Sequence, residues 1–200
     1  MALQQETFPE NLIVERDNYL AHFFSHSKIK ANTKEDLLEL LAEERNKLLH
    51  LISKQGSLFI TLGSMWAYQL GNKTIVANCH KQDQQGFSKI LLDEQKVFWQ
   101  GEQVLQDLLF RFPKLQVVLT VSPVKHLKDG VIENKLSKAL LRVLCHKWEK
   151  AFKSVHYLPV LEWVEEDLRD HQFYQSDKAH PNPLAEDYVW QQFSGHCLKA

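Results

Sequence analysis

Leu115-Gln116-Val117-Val118-Leu119-Thr120-Val121 is the stretch that decides the fold. It has strand length, carries no charge and is rich in β-branched residues. A run apolar on both faces suits a strand buried inside a parallel sheet. Ser122-Pro123 ends it. Working outward, Ser57-Leu58-Phe59-Ile60-Thr61-Leu62 has the same character and stops at Gly63, and Val155-His156-Tyr157-Leu158 repeats it downstream. Thr74-Ile75-Val76-Ala77 is a shorter run of the same kind. Helical spacing fills the intervals. Thr33 stands as an N-cap before Leu37, Leu38, Leu41, Leu48, Leu49 and Ile52, which predicts a helix over 33–53 closed by Gln55-Gly56. Val97, Phe98, Val104, Leu105, Leu108 and Leu109 predict a second over 93–110, with Gly101 weakening its middle. Leu136, Leu140, Leu141, Leu144 and Trp148 predict a third over 134–152. A short helix over 161–168 and a last one over 183–193, begun by Pro183, complete the pattern. Strands alternating with helices require crossover connections, hence an α/β domain with a parallel, doubly wound sheet.

Bulk properties agree. A chain of 200 residues, 44% apolar and 24% charged, fits a single domain over 1–200 with a sizeable core. Residues 1–17 show no periodicity and are expected to be irregular, and the aromatic stretch Tyr19 to Ser27 is expected to pack as a loop or short element. The net charge of -1 gives no footprint for nucleic acid or an anionic membrane, so neither is expected as a partner. No apolar run approaches the roughly 18 residues of a spanning helix. Cys79, Cys145 and Cys197 are odd in number and widely spaced, which suits a reducing compartment, and the cytoplasm is the expected location. His22 and His26 stand four apart, but no third ligand is near in sequence, so no metal and no cofactor are expected.

Ligands of open parallel sheets bind beyond the carboxyl ends of the strands. The candidate pocket residues therefore follow the strands: Gly63 and Ser64, Asn78 and His80, Ser122 and His126. Gly63 offers a backbone N–H and close approach, and Asn78 an oxyanion donor, against a turn-forming role. Ser64 is weighed as a nucleophile against packing, and Cys79-His80 as a dyad against a small buried residue beside a structural histidine. Lys125 and Lys128 are read as solvated, and Trp148, Trp163 and Trp190 as packing residues. Asp177-Lys178-Ala179-His180-Pro181 is sharper. Its Asp and His, three apart in a turn stiffened by Pro181 and Pro183, can fold back on one another. A carboxylate on one ring nitrogen fixes the tautomer of a histidine base. The competing reading is an Asp that caps a turn beside a surface His.

Several blocks carry a family resemblance: Thr61-Leu62-Gly63-Ser64-Met65-Trp66-Ala67-Tyr68, Val76-Ala77-Asn78-Cys79-His80-Lys81, Ser122-Pro123-Val124-Lys125-His126, and Asp177-Lys178-Ala179-His180-Pro181. In this order the sequence resembles the GSCFA domain family, of the SGNH/GDSL hydrolase type, over about residues 18–193. The resemblance implies a flavodoxin-like three-layer α/β/α fold. It implies ester hydrolysis or acyl transfer on a small-molecule or carbohydrate acyl ester, with His180 as general base and Asp177 as its partner. The family's Gly-Ser-Cys-Phe-Ala motif, whose serine is the expected nucleophile on the first strand, does not occur in this chain. The resemblance therefore leads to the expectation of a partial chain without its first strand and nucleophile. The alternative is a non-catalytic remnant or binding module on the same fold. Oligomeric state is left open.

Overall fold

The computed structural model describes residues 7–54 and 56–198. In chain order the elements are β1 (Ile13–Arg16), β2 (Tyr19–His22), α1 (Lys34–Lys54), β3 (Ser57–Leu62), β4 (Trp66–Leu70), β5 (Ile75–Val76), β6 (Phe87–Leu91), α2 (Glu94–Arg111), β7 (Gln116–Val121), α3 (Val131–Ala151), β8 (Val155–Tyr157), α4 (Val160–Glu162) and α5 (Pro183–Cys197). The chain is a mixed α/β protein whose parallel three-stranded sheet is flanked by helices, compatible with a three-layer α/β/α fold. It divides into two compact units. One runs to Gly56 and resumes over Trp66–Leu115; the other comprises Ser57–Met65 and the chain from Gln116 onward.

The second unit holds the parallel sheet, in the order β3-β7-β8. Ser57 to Leu62 lie beside Gln116 to Val121 in unbroken register, and Val117 to Leu119 beside Val155 to Tyr157. The three apolar runs singled out by sequence are these three strands. Val117, Leu119, Val121 and Val155 are buried with Leu141, Leu144 and Trp148 of α3, which packs on β7 and β8. Phe193 of α5 meets Phe59 of β3 edge-on, with ring centroids 5.6 Å apart.

In the first unit, the strand expected over 74–77 belongs elsewhere. Ile75–Val76 pairs antiparallel with β4, and β4 pairs antiparallel with β6, so these strands form a separate meander. The cause is the turn Gly71-Asn72-Lys73. Lys73 takes φ +66°, its N–H bonds Leu70 O at 2.8 Å, and Asn72 Oδ1 accepts the Thr74 N–H at 3.0 Å. A tight turn between two short runs returns the chain on itself where a crossover would carry it onward. Ile13–Arg16, within the stretch expected to be irregular, pairs with Tyr19–His22, a short element of the aromatic stretch, as the hairpin β1–β2, which turns at Asp17 with φ +50°. Residues 1–6 of the stretch expected to be irregular lie outside the described residues. Leu12, Phe23 and Val76 anchor a small apolar cluster there, lined by Tyr68 and Phe87. Thr33 caps α1 as expected, its Oγ1 accepting the Asp36 N–H at 3.1 Å.

Candidate active site

The Asp177 turn is built by short-range bonds within the second unit. Residues 173–182 close into a hairpin-like loop: Asn182 N–H bonds Phe173 O at 3.0 Å, Gln175 N–H bonds His180 O at 2.8 Å, and Lys178 N–H bonds Gln175 O at 2.9 Å. Lys178 sits at φ +57°, which lets the chain reverse between Asp177 and His180. Asn182 then caps α5, its Oδ1 accepting from Leu184 and Ala185, with Pro183 at the first helical position. The turn is also tied to the loop after β7, because Lys125 N–H bonds Ala179 O at 3.0 Å. This puts the turn beside the carboxyl end of the central strand, where parallel sheets bind ligands.

Within the turn, Asp177 divides its two oxygens. Oδ1 accepts the backbone N–H groups of Ala179 (2.9 Å) and His180 (3.0 Å), and Oδ2 lies 2.5 Å from His180 Nδ1. Those bonds, the backbone ones first, hold the Asp177 carboxyl down at about 2. A carboxylate only accepts, so the proton in that contact sits on Nδ1. In the neutral ring the unshared pair is then on Nε2, for which the structure gives no hydrogen-bond partner among the described residues. One Asp177 oxygen caps the turn and the other lies against the imidazole.

His180 stands at the rim of an apolar groove of about 640 Å³. Phe59, Val124, Leu158, Val164, Trp190 and Phe193 form much of its wall. Trp190, expected to pack, is 61% exposed on this groove, whereas Trp148 is buried. Among the described residues, none of those lining the groove is a serine.

A family model, the GSCFA family, matches residues 1–193. The chain belongs to the GSCFA family. The match takes in the first 17 residues as well, ahead of the region where the motif blocks begin. No curated protein matches the chain.

The GSCFA blocks fall into different settings. Gly63 and Ser64 follow β3, and α3 fastens them: Lys138 Nζ donates to Gly63 O at 2.7 Å, and Ser137 Oγ accepts the Met65 N–H at 2.7 Å while lying 3.3 Å from Ser64 Oγ. Burial pushes the Lys138 amine down to about 8, with Glu165 acting in the opposite sense. A side chain at Gly63 would meet nothing within 4 Å, so packing does not demand glycine there. Ser122 Oγ accepts the Val124 N–H at 3.3 Å, and His126 N–H is held by Asn134 Oδ1 at 2.9 Å. None of these four lines the groove beside His180. Asn78 and His80 belong to the first unit. Asn78 Oδ1 accepts the His80 N–H at 2.9 Å, an Asx turn, and its amide reaches Ser25 O at 3.4 Å. His80 is buried at φ +48°, with Nε2 2.8 Å from His22 O, so the chain at Cys79-His80 is turned, not extended.

The sequence did not place Phe59, Trp190 and Phe193 in a pocket, and Trp190 was expected only to pack. The signal was the three-residue step from Trp190 to Phe193, which puts both on one face of α5. Among the described residues no three His, Cys, Asp or Glu side chains cluster as a metal site, and no helix is long and apolar enough to cross a membrane.

Proposed function

We propose that this GSCFA chain carries the acid–base half of an SGNH-like acyl-transfer site, acting on an ester whose acyl part lies in the apolar groove. The observation that carries the reading is the 2.5 Å contact between Asp177 Oδ2 and His180 Nδ1 at the groove rim. His180 Nε2 would take the proton of an attacking hydroxyl as its oxygen bonds the acyl carbon. The imidazolium so formed is stabilised by Asp177, and it returns the proton to the leaving alkoxide as the old C–O bond breaks. The hydroxyl is brought to the site, either by a serine outside the groove walls or by the acceptor alcohol itself. No cofactor enters these steps.

The test is release of aryl alcohol from a short-chain aryl ester, with hydroxylamine as acceptor, alongside fluorophosphonate labelling. The wild-type chain turns over the ester. His180→Ala lowers the rate by about 10²–10⁴-fold, the usual worth of a positioned base. A wild-type chain indistinguishable from buffer, or a His180→Ala rate equal to wild type, would contradict the reading. A binding module is the second reading, favoured by one observation: among the described residues, none of those lining the groove is a serine.

A further inference from the structure

The far side of the Asp177 turn faces a second groove, of about 570 Å³. Its character is opposite to the first. Lys125, Lys135, Arg169 and Lys178 line it against a single carboxylate, Glu165. Lys135 spends its charge on Glu165 at 2.6 Å, and Arg169 pairs with Glu166. Lys125 and Lys178 have no ion pair among the described residues, and the Lys125 ammonium lies 3.5 Å from the Tyr174 ring centroid. The floor adds a neutral donor. Asn134 is 6% exposed and lines the groove, and its Oδ1 is committed to the His126 N–H. That bond fixes the amide orientation, so its NH₂ is the group left over, and it has no partner among the described residues. The residue is buried, but its amide is accessible from the groove, where an acceptor can meet it. The start of α3 is not the attraction, because the Glu133 carboxylate already lies over Gly130.

We infer that this groove is an anion site for a phosphate-type group. Two unpaired ammonium ions and an oriented amide suit a compact oxyanion with several acceptor oxygens better than a planar carboxylate, which a free Arg fork would favour. The turn connects the two grooves: Gln175, His180 and Pro181 wall the apolar one, and Tyr174 and Lys178 the basic one. A phosphorylated acyl compound could place its two ends on either side of it. The anion site stands on its own donors and does not depend on the acyl-transfer reading.

The experiment titrates inorganic phosphate, and separately octyl phosphate, into the full chain at low ionic strength, read by calorimetry and by amide chemical shifts. Saturable binding is expected, with shifts centred on Lys125, Asn134 and Lys178. Lys125→Gln/Lys178→Gln weakens it about tenfold or more, as loss of charge-assisted bonds should. Asn134→Asp keeps the acceptor for the His126 N–H but sets a carboxylate against the anion, and it weakens binding at least as much. His180→Ala leaves phosphate affinity unchanged, so failure of the catalytic reading and failure of this one are separable. Octyl phosphate binding more tightly than phosphate assigns the site to a substrate-borne group, and equal affinity assigns it to free phosphate. No saturable response, or affinity unchanged in both variants, overturns the site.

Discussion

His22 and His180 are the same residue in opposite circumstances. His22 is fully buried in the first unit, and both ring nitrogens are spent: Nε2 lies 3.1 Å from Pro9 O, and Nδ1 accepts the Phe24 N–H at 3.1 Å. Burial lowers its pKa, with the Pro9 bond opposing, so the neutral ring is favoured. His180 is half exposed, spends Nδ1 on a carboxylate and keeps Nε2 available. A histidine with two backbone partners is a structural strut. A histidine with a carboxylate behind it and an open nitrogen in front has the arrangement of a base. The difference lies in the partners, which neither residue type nor local composition records.

Substitutions can break or sharpen this contrast. The largest effect is on rate: His180→Ala costs about 10²–10⁴-fold in acyl transfer and leaves thermal stability nearly unchanged, measured by ester turnover and melting on one preparation. His22→Leu should do the reverse. It strands the Phe24 N–H and takes the ring contact from the Pro9 carbonyl, which keeps the Leu12 N–H, and destabilises by roughly 1–3 kcal/mol in denaturant titration. Ser137→Ala leaves the buried Met65 N–H unpaired and costs about 1–2 kcal/mol by the same measurement. Asp177 contributes through pH. Its folded carboxyl is held at about 2, below the ordinary value of 3.8. Its contribution is therefore complete above about pH 4 and is lost as pH falls through about 2. Carboxyl carbon shifts should titrate with a midpoint near that value. Gly63→Ala, with nothing within 4 Å of the added carbon, should change stability by less than about 0.5 kcal/mol.

The parallel sheet was legible because its strands are continuous apolar runs, and the runs at Leu58, Val117 and Val155 became neighbours in that order. β4 and β6 were not, because Trp66-Ala67-Tyr68-Gln69-Leu70 and Phe87-Ser88-Lys89-Ile90-Leu91 mix polar and apolar residues without clean alternation. Gly71-Asn72 was the available hairpin signal. The Asp177–His180 contact could be read from spacing, since a turn of this length lets the side chains meet. The basic groove could not. Lys125, Asn134, Arg169 and Lys178 are spread over more than fifty positions, and a fold alone brings them together.

Asp177 holds His180 through Nδ1 and leaves Nε2 open. Nitrogen-15 spectroscopy of the neutral imidazole reads that arrangement at the ring itself. A proton on Nδ1 and a bare Nε2 are expected in the wild-type chain, with a shift toward the Nε2–H tautomer in Asp177→Asn. An Nε2–H tautomer in the wild type, unchanged by Asp177→Asn, would contradict it.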